Sequence, residues 1–188
     1  RRDRVMEICK LIVERGLKIT WELYNGIRVN VCDRELLEAM KAAGCVFISY
    51  GCESGNPEIL KLIQKGLTLQ QVRRAVQLTT EVGIKCSVNF IVGHPTETYE
   101  KAMDSIRFAR SLPATFVNFY NDTPYPGTTL FEWAEKNATF LYPDFLDDVS
   151  YRSGEPIYVT PEFTREERMK ILQMGFKLYE RRVLQYRF

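Results

Sequence analysis

The chain has 188 residues, enough for one domain with a substantial core, and its 45% hydrophobic and 27% charged residues are typical of a globular protein. The net charge of +2, from 26 basic and 24 acidic side chains, disfavours a broad nucleic-acid-binding face. No run approaches the ~20 apolar residues of a membrane span. The chain opens on Arg1 in a helix-like pattern without a signal peptide, so we expect a piece of a longer cytoplasmic protein.

The cysteine pattern excludes the usual zinc sites. No two of the five cysteines form a CxxC pair, and His94 is the single histidine. The cysteines lie in apolar stretches, which predicts buried, reduced thiols in a cytosolic protein. They are Cys9, Cys32, Cys45, Cys52 and Cys86.

Helix-like and strand-like segments alternate along the first three quarters of the chain. Apolar residues at helical spacing, with capping residues before them or glycines after them, predict helices. The predicted helix starts are Asp33, Asn56-Pro57, a Thr68/Gln71 capping box, Thr98 and Thr128 or Thr129, and the predicted stops are Gly16, Gly44, Gly66 and Gly83. Strands are predicted at 18–24, 45–52, 85–93 and 115–120.

Each predicted strand has one apolar and one largely polar face. Crossover helices between strands imply parallel pairing. A doubly wound sheet would read as continuous apolar runs, so a curved sheet around an open lumen is favoured: a partial α/β barrel of about four strands with outer helices. The outer face is predicted to hold Ile19, Trp21, Leu23, Val46, Ile48, Tyr50, Val88, Phe90, Val92, Val117 and Phe119, and the lumen face Thr20, Glu22, Tyr24, Ser49, Gly51, Glu53, Ser87, Asn89, Ile91, Asn118 and Tyr120.

The character of the chain changes after Asn137. Residues 138–163 lack a clear period and predict an irregular segment, with one short strand at 157–160. A second capping box, Thr164 with Glu167, predicts a long terminal helix. Its stripe of Met169, Leu172, Phe176 and Tyr179 is expected to pack in the core.

Four loops fall at the carboxyl ends of the predicted strands, where parallel barrels carry their reactive groups. They cover residues 24–30, 51–56, 93–98 and 121–128, and all are rich in Gly, Pro, Ser, Asn or acidic residues. Glycine lets a ligand approach the backbone closely, although turn formation alone explains much of this composition.

Residues 18–137 resemble the second half of radical S-adenosylmethionine enzymes. The matching motifs, in order, are GCVFISYGCESGNPEIL, GIKCSVNFIVGHPTETYE and PYPGTTLFEWAEK. The resemblance is greatest to the branch that shares the Elp3, MiaB and NifB barrel domain, which often follows a cobalamin-binding domain. It implies a six-unit barrel whose third to sixth strands are the four predicted here, so residues 1–137 would be its second half and 138–188 a C-terminal extension.

The resemblance implies a mechanism and its cofactors. A reduced [4Fe–4S] cluster would cleave S-adenosylmethionine to methionine and a 5′-deoxyadenosyl radical, which attacks an unknown substrate. The family's CxxxCxxC cluster loop is missing, so the cluster ligands would lie before Arg1 and this chain alone would be inactive. The alternatives are a cobalamin-dependent methyltransferase or tetrapyrrole cyclase, with cobalamin on an upstream domain, and a non-catalytic scaffold for a partner.

The resemblance also implies the cofactor-binding residues. Glu53 and Ser54 would approach the ribose and methionyl portion, Asn89, Ile91 and Gly93 would occupy the family's GxIxG positions beside the adenine, and the loop around Tyr125 would contact the adenine edge. Asn89 departs from the family glycine.

Two other polar residues are candidates. Arg28 could pair with a carboxylate of cofactor or substrate, and Glu22 could meet substrate. A catalytic role for His94 is disfavoured. One side of the strand around Trp21 would have no neighbouring strand. A homo-oligomer joined through this open edge or through the open lumen is therefore expected.

Overall fold

The computed structural model describes residues 1–142, 144–146 and 154–187. Seven α-helices alternate with strands in this part of the chain, and a short 3₁₀ turn covers Val29–Val31. The helices are α1 Arg2–Glu14, α2 Arg34–Ala42, α3 Pro57–Leu62, α4 Leu69–Glu81, α5 Tyr99–Ser111, α6 Thr129–Asn137 and α7 Arg165–Arg187. The strands are β1 Trp21–Leu23, β2 Cys45–Glu53, β3 Lys85–Val92, β4 Phe116–Asn121, β5 Thr139–Phe140 and β6 Tyr158–Val159.

Four parallel strands form the main sheet in the order β1-β2-β3-β4. Each strand lies beside its predecessor along the chain, with helices in between, which is the repeated unit of a (β/α) barrel. The predicted α/β fold, a partial barrel of about four strands, is confirmed. Two irregularities in register occur on β2, near its start and near its end.

The predicted helix starts are present as side-chain caps. Asp33 accepts the Leu36 N–H at 2.8 Å, and Asn56 accepts the N–H groups of Glu58 and Ile59 ahead of Pro57. The Thr68/Gln71 capping box is complete in both directions. Because each cap satisfies amides that the helix leaves free, the short polar residue fixes where the helix begins. Thr98 and Thr128 cap α5 and α6 in the same way.

The helices cover one face of the sheet and create the core there. Ile48, Tyr50, Val88, Phe90 and Val117 of that face are fully buried, as predicted. The Tyr50 hydroxyl, brought into the core with its ring, lies 2.7 Å from Thr79 Oγ1 of α4. This hydrogen bond compensates the burial of both hydroxyls.

Two residues predicted for the outer face are placed elsewhere. Ile19 is 46% exposed and precedes β1, which is shorter than the predicted strand because it is an edge strand with one neighbour. Val46 lies at the register shift where Cys45 pairs with Trp21 and Phe47 with Glu22. The shift puts Cys45 into the core and Val46 beside the lumen.

The C-terminal part closes the β4 side of the sheet. The predicted short strand exists as β6, and it pairs antiparallel with β5. The capping box of Thr164 and Glu167 begins α7, which packs along β4 and α5. Of the expected core stripe of Met169, Leu172, Phe176 and Tyr179, only Leu172 packs against the core, where it is half-buried. Arg168, Ile171, Gly175 and Leu178 are buried instead, and Phe176 is 60% exposed.

None of the helices in the described residues combines the length and the hydrophobicity that a membrane crossing requires.

Candidate functional site

A cavity of about 700 Å³ opens at the carboxyl ends of β2 and β3, and we call it the strand-end cavity. Its polar lining includes Arg28, Ser49, Glu53, Lys65 and Asn89. The loop after β1 forms one wall. At Gly26, where φ is 71°, an added Cβ would lie 3.2 Å from the Ser49 carbonyl carbon and collide with its oxygen. Glycine therefore lets this loop approach β2 closely.

Glu53 stands at the mouth of this cavity in a strained conformation. Its φ is 70°, a left-handed value, and the register with β3 shifts between Gly51 and Glu53. Lys65 Nζ lies 2.5 Å from Glu53 Oε1. The bulge re-aims the carboxylate, since an unbroken strand would have kept the simple alternation of faces. Glu53 therefore reaches its predicted position on the lumen face through a bulge in β2. Its carboxylate is paired with the ammonium group of Lys65.

The residues that follow Glu53 build the turn behind the cavity. Ser54 is fully buried, and its hydroxyl accepts the Asn56 N–H at 3.1 Å. Gly55 lies against α5, where an added Cβ would be 2.6 Å from Ser105 Cα, and its N–H donates to Ser105 Oγ at 2.8 Å. Ser54 does not line the strand-end cavity, so its geometry is that of a turn cap.

A ladder of polar side chains crosses the lumen face. Asn118 Nδ2 donates to Asn89 Oδ1 at 2.9 Å, Asn89 Nδ2 donates to Ser49 Oγ at 2.9 Å, and Ser87 Oγ donates to Ser49 Oγ at 3.0 Å. The ladder joins β2, β3 and β4 and holds Asn89 in one orientation. Ile91, half-buried, follows Asn89 on the same face and pairs in register with Tyr120.

Gly93, at the end of β3, faces a buried arginine from the C-terminal helix. Its φ is 109°, and an added Cβ would lie 3.0 Å from Arg168 Cζ. Arg168 is 1% exposed and stacks on the rings of Tyr158 and Phe163, with Cζ 4.8 and 5.1 Å from their centroids. The space that a glycine leaves free is thus filled by this chain's own guanidinium, and nothing in the sequence pattern around Arg168 signals that contact.

Further ionisable groups are buried beside Gly93. Glu97 Oε2 accepts the Gly93 N–H at 2.6 Å, and Tyr158 donates its hydroxyl to the Gly93 carbonyl at 2.6 Å. His94 Nδ1 lies 3.3 Å from Asp122 Oδ2. Burial lowers the pKa of His94, but the hydrogen bond to Asp122 and the nearby carboxylates outweigh it, and the net shift is upward. Burial raises the pKa of Glu97.

The remaining candidates lie apart from one another. Arg28 is exposed and has no ion pair within the described residues, so its guanidinium is available in the strand-end cavity. Glu22 lies further down the lumen in a second cavity of about 730 Å³, and a hydrogen bond with its carboxylate raises the pKa of Tyr24. Tyr125 is 55% exposed and lines a different cleft beside α7.

The cysteines do not fit an iron–sulfur cluster. All five are buried free thiols, as predicted. Burial raises the pKa of Cys32 and Cys45 to about 11 and that of Cys52 to about 12, which opposes the thiolate form that iron requires. No group of three potential metal ligands occurs in the portion of the chain that the structure describes.

Comparisons with known proteins agree with this architecture. The profile of the radical SAM superfamily matches residues 1–109. An uncharacterised methyltransferase of Pyrococcus horikoshii is 34% identical over 175 residues, covering 93% of this chain and 37% of the relative. The anaerobic magnesium-protoporphyrin IX monomethyl ester cyclase of Cereibacter sphaeroides is 32% identical over 180 residues, covering 95% of this chain and 29% of the cyclase.

A solved structure shares the fold over most of the chain. The radical S-adenosylmethionine methyltransferase TsrM of Kitasatospora setae, with cobalamin and a [4Fe–4S] cluster bound, superposes with a TM-score of 0.62 at 25% identity, over 72% of this chain and 27% of TsrM. The chain spans about a third of the length of the curated relatives described above.

Proposed function

Because this chain belongs to the radical SAM superfamily, we propose that it forms the adenosine-binding half of a catalytic barrel in a radical S-adenosylmethionine enzyme. One observation carries the proposal: the strand-end cavity combines Glu53, Asn89 and Arg28 where the parallel strands end. In this fold that edge holds the reacting groups. When bound, S-adenosylmethionine and an iron–sulfur cluster supply the radical chemistry of the family.

The residues of this chain bind and orient in this proposal. The Glu53 carboxylate accepts hydrogen bonds from the ribose hydroxyls while Lys65 holds it in place. Asn89, fixed by the polar ladder, offers its amide beside the adenine, and Ile91 provides apolar contact to the ring. Arg28 pairs with a carboxylate of cofactor or substrate. Glu22 lies deeper in the lumen as a substrate contact.

Three further residues belong to the proposed cofactor site, but they act differently from the way the sequence suggested. Gly93 ends β3 beside the adenine and shapes the chain there, while its N–H and carbonyl bond to Glu97 and Tyr158 and its open side is filled by Arg168. Ser54 acts by shaping the turn that presents Glu53. The loop after β4, which carries Tyr125, contacts the adenine edge. The cluster ligands lie outside this chain, because its cysteines do not fit them, and no proton or electron step is assigned to these residues.

The relatives favour two reaction types for the whole protein. The Pyrococcus protein and TsrM are named methyltransferases, and TsrM carries cobalamin, so a cobalamin-dependent methyl transfer is one. The Cereibacter relative is a tetrapyrrole ester cyclase, so ring formation is the other. Residues 1–137 would be the second barrel half and 138–188 a C-terminal extension. The five free thiols support a cytoplasmic location, and the exposed β1 edge supports a second copy or another chain as partner.

The activity assay uses a protein that contains both this chain and the proposed cluster-binding half of the barrel. After anaerobic reconstitution and reduction, it should release 5′-deoxyadenosine from S-adenosylmethionine. Glu53→Gln and Asn89→Leu should each raise KM for S-adenosylmethionine about tenfold, because each removes a hydrogen bond to the cofactor that is worth about 1.4 kcal/mol. Lys136→Ala, on the exposed side of α6, is the matched control and should leave KM unchanged.

The isolated 188-residue chain gives the complementary result. Calorimetry should show weak or no binding of S-adenosylmethionine, because the cluster that chelates its methionyl group is missing and the ordering cost is poorly offset. Reconstitution with iron and sulfide should yield no stoichiometric cluster. Micromolar affinity, or one stable cluster per chain, would overturn the division of the site between two halves.

A further inference from the structure

Gly93, the residue that follows β3, is held in place from three sides. Its N–H donates to Glu97 Oε2 at 2.6 Å, and its carbonyl accepts the Tyr158 hydroxyl at 2.6 Å. The Arg168 guanidinium fills the space in which a side chain would lie. With φ at 109°, the position depends on glycine, which has the widest range of backbone conformations. Three contacts on one glycine therefore select a single conformation at the end of the strand.

Two of these three contacts come from the proposed C-terminal extension, residues 138–188. Tyr158 lies on β6 and Arg168 lies in the first turn of α7. Both side chains are fully buried. The radical SAM profile ends at residue 109, so it includes Glu97 but neither Tyr158 nor Arg168. The conformation of Gly93 thus depends on a segment that lies outside the part of the chain that the family profile matches.

The two parts of the extension that reach Gly93 support each other. The Arg168 guanidinium stacks on the Tyr158 ring, with Cζ 4.8 Å from the centroid, and its Nε donates to the Phe163 carbonyl at 3.3 Å. Ahead of β6, the two carboxylate oxygens of Glu155 accept Nε and Nη2 of Arg165 at 2.9 and 2.7 Å. This two-point pair joins the approach to β6 to the start of α7. The hydroxyl on β6 and the guanidinium on α7 therefore act as one unit.

Gly93 lies at the edge of the sheet where the cofactor is proposed to bind. It ends β3, which also lines the strand-end cavity. Burial disfavours the charged form of His94, the next residue, but neighbouring carboxylates raise its pKa. They belong to Asp122, Glu97 and Glu53, and Glu53 stands at the mouth of the strand-end cavity. The end of β3 is thus within electrostatic reach of that cavity, and a change in its backbone would alter the cavity's edge.

We propose that Tyr158 and Arg168 are positioning residues for the adenosine portion of S-adenosylmethionine, and that they act by holding Gly93 in its binding conformation. The inference rests on the proposed function and adds the C-terminal extension to the cofactor site. A glycine that is fixed before the ligand arrives does not have to be ordered on binding, so affinity for the adenosine portion rises. Neither side chain lines the strand-end cavity, so their loss should weaken binding and leave the chemical step unchanged.

The experiment compares two buried tyrosine hydroxyls in the protein that contains both barrel halves. Tyr158→Phe removes the hydroxyl bonded to Gly93 and keeps the ring that stacks on Arg168. It should raise KM for S-adenosylmethionine about fivefold, the equivalent of one hydrogen bond, and leave kcat unchanged. Tyr50→Phe is the matched control, because it removes an equally buried hydroxyl that lies 2.7 Å from Thr79 in the core. It should lower the melting temperature by a similar amount and leave KM unchanged.

Product inhibition identifies the end of the cofactor that is affected. Tyr158→Phe should also weaken inhibition by 5′-deoxyadenosine about fivefold. Inhibition by methionine, which lacks the adenosine portion, should not change. Arg168→Met should give the same pattern with an effect at least as large, and where it fails to fold Tyr158→Phe decides alone.

Three results would overturn the inference while 5′-deoxyadenosine release by the wild-type protein leaves the proposed function standing. The first is an equal KM for wild type and Tyr158→Phe. The second is a rise in KM that Tyr50→Phe shares, because lost stability would then be the cause. The third is inhibition by methionine that weakens as much as inhibition by 5′-deoxyadenosine. If the wild-type protein releases no 5′-deoxyadenosine, the proposed function fails and the positioning role falls with it.

Discussion

Arg168 is a charged side chain that is buried against rings rather than against a carboxylate. Within the described residues, no acidic oxygen lies within ion-pair distance of it, and Tyr158 and Phe163 face its guanidinium. Burial lowers its pKa, although an arginine stays protonated. Contacts with ring faces recover part of the desolvation cost, and Gly93 provides the necessary space.

Substitution of Gly93 should therefore be costly for two reasons. Gly93→Ala places a Cβ against Arg168 and forces a non-glycine residue to φ 109°, so the free energy of unfolding should fall by about 2–4 kcal/mol. Gly66→Ala is the matched control, because φ is 65° there and nothing lies within 4 Å. It should cost only about 1 kcal/mol in urea denaturation. Equal losses for both variants would show that Arg168 does not confine Gly93.

The pair of His94 and Asp122 should make stability depend on pH. The pKa of His94 is raised in the folded state, so the pair's stabilisation is full below the unfolded value of about 6.5 and is lost as pH rises through the folded value. Asp122→Asn should then cost more free energy of unfolding at about pH 6 than at about pH 9. In a His94→Gln background the cost should not vary with pH, and persistent variation there would assign the effect to another group.

The sequence predicted part of this site and missed the rest for a physical reason. Asn89 and Glu53 follow from strand alternation and the family motifs, and Asn89 lies on the lumen face as expected. Ser54 is a buried turn cap, and Val46 sits at a bulge that alternation cannot foresee. Arg168 was missed because its contact with Gly93 depends on where a distant helix docks, which local spacing does not encode.

At the scale of elements, local signals were the most reliable. The caps at Asp33, Asn56 and Thr68 begin helices where predicted, because a cap acts within four residues of itself. The apolar face of α7 was misassigned, because its apolar residues divide between the core and the cleft beside this helix that Tyr125 also lines. Periodicity shows that a helix has an apolar side but not what covers it.

Gly175 shows how packing overrides helix propensity in α7. Within an exposed helix, Gly→Ala stabilises by about 1 kcal/mol. At Gly175, however, an added Cβ would lie 2.8 Å from Phe119 Cβ, so Gly175→Ala should instead destabilise by about 1–3 kcal/mol in thermal or urea unfolding. Gln185→Ala, at an exposed position of the same helix, should change stability by less than about 0.5 kcal/mol. A stabilised Gly175→Ala would mean that α7 does not dock on Phe119.

At the scale of the whole molecule, the sheet is finished on one side and open on the other. On the β4 side, Arg182 of α7 donates to the carbonyls of Ala109 and Leu112 at 2.8 and 3.0 Å. On the β1 side, the described residues supply no further strand, and Leu17 and Ile19 nearby are exposed. An open parallel edge beside apolar side chains favours pairing with another chain.

The isolated chain should therefore associate as its concentration rises. Multi-angle light scattering should show a dimer or larger species, and Thr20→Pro should reduce it. The Trp21 N–H donates to the carbonyl of Gly44, the residue just before β2, so we expect the neighbouring amide of Thr20 to point to the open edge. The control is a substitution at Lys136, an exposed residue of α6. Proline there would disrupt the helix, so alanine is used, and Lys136→Ala should leave association unchanged. A monomer at the highest attainable concentration would contradict the prediction.

Because Arg168 fills the space beside Gly93, the end of β3 is completed only late in translation. Gly93 leaves the ribosome 75 residues before Arg168, a delay on the order of 4–15 s at typical elongation rates. During that interval the end of β3 exists without the side chain that fills it, and Tyr158 arrives only shortly before Arg168. The nascent sheet therefore passes through a stage in which the space beside Gly93 is unfilled, and that space is filled only after α7 has been translated.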